Sequence, residues 1–135
     1  MPTNLKHGSK ITVYASAART ATPTAVEFLV ADPVIRGVII AVNVTANAAT
    51  PSVVPTLKIK VDGTWITLKA FTAITNITGN GLYLYLIYPG ISDLGLSGIV
   101  IDEVVAYPIP TNFEFSMVHG DADSITYAVN LECLR

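Results

Sequence analysis

The sequence predicts an all-β protein: an antiparallel two-sheet β-sandwich, or a jelly-roll-like barrel, of about eight strands. Three observations carry this expectation. Apolar residues recur with period two almost throughout, as in 57-LKIKV-61 and 113-FEFSM-117, the spacing of half-buried strands. Turn chemistry separates the runs. Prolines at 23, 33, 51, 55, 89, 108 and 110 cut the chain into pieces too short for long helices.

Taken in order, residues 1–10 are expected as an N-terminal arm and 11–135 as a single β-sandwich domain. The arm, MPTNLKHGSK, has no periodicity and carries Lys6 and Lys10, candidates for facing a partner. Strands are expected at 11–15, 26–30 and 34–44. The stretch 45–55, with small residues and two prolines, reads as an extended loop. Residues 57–61 and 65–71 flank Asp62-Gly63, a hairpin turn, because both central residues of a type I′ turn need positive φ. A second turn at 79–81 leads into 82-LYLYLIY-88. A short helical turn fits 91–97. Strands at 99–107, 112–118 and 124–134 complete the set. On the last, Ile125, Tyr127, Val129, Leu131 and Cys133 share one face.

Three aromatic residues can be read two ways. Tyr83 and Tyr85 share a strand face and Trp65 opens another strand. Each is either packed in the core or part of a carbohydrate- or partner-facing patch.

The composition bounds the function classes. The chain has 135 residues, 51% hydrophobic and only 13% charged, against about 25% charged in typical soluble domains. One folded domain of this size exposes roughly 6,800 Å², about a third of its extended-chain surface, so it can bury a core without disulfides or metals. The apolar runs 37–49 and 94–110 are interrupted well before the length of a membrane span. Few charges without a membrane span point to an outer surface covered by partners, hence to stable assembly. A net charge of −2 with scattered Lys and Arg speaks against nucleic-acid binding. The first ten residues lack the apolar stretch of a secretory signal, and synthesis in a cytoplasm is expected. The single Cys133 is expected as a small buried hydrophobe.

The densest cluster of chemistry-bearing side chains is 119-HGDADSITY-127. His119, Asp121 and Asp123 could ligate a cation. A D-x-D after an apolar strand also occurs in phosphoryl-transfer sites, but those use an α/β sheet and a phosphate-cradling loop, which this chain lacks. The expectation is therefore a structural turn formed by His119, Gly120, Asp121, Asp123 and Ser124. Gly120 would supply positive φ, and the aspartates would bond nearby backbone N–H groups. No catalytic residue, metal or cofactor is expected. Asp102 and Glu103 are adjacent, so on a strand they point opposite ways.

The phrases 17-AARTATPT-24, 36-RGVIIAVNVTANAATPSVVPTLKIK-60, 86-LIYPG-90 and above all HGDADSITY resemble a group of small tailed-bacteriophage virion structural proteins. The similarity runs from about residue 11 to about residue 131. It implies a non-enzymatic role on the virion, most plausibly as a capsid decoration (cement) protein at the capsid surface. The implied partners are the major capsid protein and further copies of the chain, with a homotrimer favoured, and neither nucleic acid nor membrane. The alternatives are a tail, neck or fibre component, a carbohydrate-binding surface module, and a metal-dependent hydrolase using the D-x-D.

Overall fold

The computed structural model describes residues 2–6, 8, 10–48, 50–77, 81–90 and 101–135, with the backbone alone for 101 and 102. Ten strands build it: β1 (Thr3–Leu5), β2 (Lys10–Arg19), β3 (Val26–Val30), β4 (Gly37–Asn47), β5 (Val53–Val61), β6 (Thr64–Ala70), β7 (Leu82–Ile87), β8 (Ile101–Val105), β9 (Asn112–His119) and β10 (Ile125–Leu134). There is no helix among the described residues. The strands form two five-stranded sheets, ordered β1-β3-β9-β5-β6 and β2-β10-β4-β7-β8.

The architecture is an open two-sheet sandwich and not a closed barrel. Eight strands divide between the sheets in the order of a jelly roll: β2-β10-β4-β7 faces β3-β9-β5-β6. The two extra strands, β1 and β8, add in parallel to the edges, on β3 and β7, while every other pairing is antiparallel. The exposed surface is 6713 Å², close to the size-scaling expectation.

The core follows from the period-two pattern. Phe113, Phe115 and Met117 of β9, with Phe28 and Leu57, meet Val38, Ile40 and Val42 of β4 and Ile125 to Leu131 of β10. Phe28 and Phe113 stack with centroids 5.1 Å apart, an offset geometry that adds to burial.

Several expectations are revised. The arm does not stand apart: Thr3–Leu5 pairs with Phe28–Val30, and Leu5 is fully buried. The strand expected to open at residue 34 begins at Gly37, because Asp32 turns the chain, accepting Val34 N–H on Oδ1 and Ile35 N–H on its carbonyl. The extended loop expected to run to residue 55 ends earlier, since Val53–Thr56 belong to β5. Pro55 stands just past the last β5–β6 pair, Thr56↔Ala70; its carbonyl still accepts Phe71 N–H (2.9 Å), and the N–H that proline lacks falls at the end of that ladder. The expected helical turn at 91–97, residues 79 and 80 of the expected turn, and residues 99 and 100 lie outside the described residues.

The β5–β6 hairpin turns at Asp62 (φ 50°) and Gly63 (φ 79°), both positive as a type I′ turn requires. A side chain at Gly63 would meet nothing, whereas a Cβ at Gly81 (φ 74°) would lie 2.2 Å from the Val44 carbonyl oxygen. The residue that carries this oxygen is itself tied to Gly81, since Val44 N–H donates to Gly81 O. Gly63→Ala should therefore cost only the left-handed backbone penalty, about 1–2 kcal/mol. Gly81→Ala should cost clearly more, because backbone must move as well. Urea unfolding of both variants checks the order.

Candidate functional site

The 119–127 stretch is where the chain passes between sheets. β9 and β10 lie in different sheets, so the turn is a crossover and not a hairpin. It is held from both sides. His119 N–H donates to Thr22 Oγ1 (2.9 Å), Gly120 N–H to Ser52 O (2.8 Å), and Ala48 N–H to Ser124 O (2.8 Å). Asp123 Oδ2 accepts Thr50 N–H at 3.1 Å, and Asp121 Oδ1 accepts Asp123 N–H at 3.1 Å. Both aspartates thus spend acceptor capacity on backbone donors, the usual use of short polar side chains in turns. Gly120 does not adopt the positive φ expected of it; a Cβ there would sit at ordinary contact distance, 3.5 Å from Ser52 Oγ.

His119 turns away from the aspartates. Its Nε2 lies 3.0 Å from the Tyr127 hydroxyl, while Nδ1 is buried without a hydrogen-bond partner among the described residues. Burial lowers the His119 pKa; Asp121 partly opposes this and Arg19 adds to it. The three-residue cation site that His119, Asp121 and Asp123 could have formed is therefore not assembled, and no group of three or more metal-ligating side chains occurs among the described residues.

A residue that the sequence did not single out completes the cluster. The Arg19 guanidinium lies over the Tyr127 ring (4.6 Å to the centroid) and near the Tyr14 ring (5.5 Å). It donates to the carbonyl oxygens of Tyr127 (2.9 Å), Ala17 (3.1 Å) and Ala15 (2.8 Å). One planar cation thus satisfies carbonyls on two strands and faces two rings, which a lysine could not do. Tyr14 hydroxyl donates to Thr24 O (2.8 Å) and lies 3.3 Å from Phe115 O on the opposite sheet. Burial pushes the phenols of Tyr14 and Tyr127 up to about 12, so both stay protonated. The cluster Tyr14–Arg19–Tyr127–His119 is a polar seam between the sheets.

The remaining candidates fall as follows. Tyr83 and Tyr85 are buried, not surface-facing, because the β4 pairing Val42↔Tyr83 and Ile40↔Tyr85 puts them on the inward side. Tyr83 hydroxyl donates to Asn76 O at 2.9 Å, whereas the Tyr85 hydroxyl has no hydrogen-bond partner among the described residues, and its ring packs 4.5 Å from that of Phe71. A carbohydrate patch built on these two tyrosines is thereby excluded. Trp65 is half-buried on the outer side of β6, with Lys60 Nζ 5.4 Å from its ring centroid. Lys6 and Lys10 are exposed. Cys133 is buried, and burial raises its thiol pKa, with Asp32 and Glu132 adding; such a thiol is a poor nucleophile. No helix among the described residues is long and apolar enough to cross a membrane. Comparison with protein-family models, with characterised proteins and with solved structures finds no match.

Two outcomes are expected. Because the folded His119 has a lowered pKa, it contributes its full stability above the unfolded value of about 6.5 and loses it as pH falls from there through the folded value. Melting temperature should drop between pH 7 and pH 5, and His119→Gln should flatten that slope. Separately, Tyr127→Phe should cost about 1 kcal/mol by removing a bond between sheets, while Tyr85→Phe should cost nothing or stabilise, since its hydroxyl is buried unpaired. Chemical denaturation of the two variants side by side measures the contrast.

Proposed function

We propose that the protein is a non-enzymatic structural protein of a tailed-bacteriophage virion, acting as a capsid decoration (cement) protein that binds the major capsid protein lattice as a homo-oligomer, with a trimer favoured. The observation that carries this reading is the outward face of the β2-β10-β4-β7-β8 sheet. Ile39, Ala41 and Leu84 point away from the core there, where a solvent-facing sheet would carry polar side chains. A chain with 13% charged residues and an apolar patch on its outer sheet face has the surface of an assembly component. The resemblance carried by HGDADSITY supports the same direction.

In this reading, decoration stabilises the head by mass action. A protein that binds the assembled lattice, and not separated capsomers, shifts the equilibrium against rupture. A trimer docking at three equivalent points gains avidity, because after the first contact the others become intramolecular. The test adds purified protein to expanded, undecorated capsids. Saturable co-sedimentation and a raised rupture temperature are expected. Failure to bind, or a position in the tail or neck in electron micrographs of virions, overturns the placement.

A further inference from the structure

β7 buries its tyrosines and turns Leu82 and Leu84 outward. Beside Leu84 on the neighbouring strands sit Ala41 and then Asn130; one register step along sit Ile39 and Glu132, with Lys10 on β2 opposite Glu132. Together these residues line a groove of about 230 Å³, with Ile39, Ala41 and Leu84 as its apolar floor and Lys10, Asn130 and Glu132 as its rim. An apolar cavity of about 150 Å³ takes a benzene, so this groove has room for branched aliphatic side chains.

Elsewhere the same chain carries an apolar projection. On the β5–β6 hairpin, Ile59 pairs with Ile66 and Val61 with Thr64, which puts Ile59, Val61 and Ile66 on one face. Val61 is 46% and Ile66 48% exposed, the two most exposed large aliphatic side chains on any strand described. The turn beyond them is tight and fixed by its two positive-φ residues, so the projection is preformed. Asp62 borders it at the turn, while Lys60 lies on the opposite face over the Trp65 ring. The groove rim carries a positive charge, Lys10, for such an aspartate to meet.

We infer that the β5–β6 hairpin of one chain seats Val61 and Ile66 in the Ile39–Ala41–Leu84 groove of a second copy, with Asp62 at the turn against Lys10. The contact is head-to-tail. It covers the groove and the hairpin projection at once, which a groove-to-groove pairing about a two-fold axis does not. A head-to-tail contact repeats, closing into a ring when the rotation between copies permits. The inference deepens the homo-oligomer part of the function proposed above and rests on it, but it does not depend on what the oligomer docks on.

The experiment uses the full chain and sedimentation velocity. Wild type should run as one closed oligomer. Ile66→Asp on the hairpin and Ala41→Glu in the groove should each run as monomers at concentrations where wild type is fully associated, with wild-type circular dichroism. Val61→Asp and Leu84→Glu serve as the second pair should either of the first fail to fold. Mixing a hairpin variant with a groove variant should restore a two-chain species, because one intact hairpin and one intact groove remain. A monomeric wild type, an Ile66→Asp oligomer unchanged in size, or a mixture that stays monomeric overturns the inference. Capsid co-sedimentation of the same variants separates the two proposals: an oligomer of this design that ignores capsids leaves the contact standing and removes the cement role.

Discussion

Both sheets are organised around a strand from the end of the chain. β9 lies between β3 and β5, and β10 between β2 and β4. These interior strands bring the most regular inward sets, Phe113-Phe115-Met117 and Ile125 through Cys133. Since the two strands are consecutive but sit in opposite layers, the six residues from His119 to Ser124 must carry the chain across the sandwich. That constraint explains why a short segment holds so many bonds to other parts of the molecule. Thr22, Ala48, Thr50 and Ser52 are all tied to it, and those residues flank the strands on which β9 and β10 rest.

Polar side chains at this end work as spacers between layers. Tyr14 and Tyr127 each reach from one sheet toward the other, and Arg19 fills the gap between their rings while closing carbonyls on the edge strand β2. β2 needs such attention. It is ten residues long, its Ala15–Ala18 segment is exposed, and it borders solvent as a sheet edge. Register shifts against β10 near Tyr14 and Ala17 interrupt its regularity, and bulges of this kind discourage edge-to-edge pairing.

Where a signal is local, the sequence showed it. Asp62-Gly63 needs no distant partner to specify its turn, and the alternation in 112–118 and 124–134 assigns inward faces because the opposite faces are more polar. In 82-LYLYLIY-88 both faces are apolar, so periodicity gives two equivalent answers. Pairing with β4 decides between them, and it puts the tyrosines inside. β1 is three residues paired in parallel, too short to show a period. Arg19 is a surface-type residue whose partner Tyr127 lies 108 positions away, and no spacing rule joins them. The turn of 119–124 was legible as hydrogen-bonded structure, but its crossing between layers was not, since that depends on which strands β9 and β10 join.

The placement of β9 and β10 also sets an order in time. A chain leaving the ribosome presents β2, β3, β4 and β5 before either interior strand exists. Until β9 and β10 emerge, each sheet lacks an interior strand, and the earlier strands keep apolar faces and open ladders without their native neighbours. Contacts this distant in sequence slow folding, so the nascent chain passes through an interval in which it depends on staying apart from its copies. The same C-terminal residues that complete the sandwich end that exposure, and truncation by even one strand would leave it permanent.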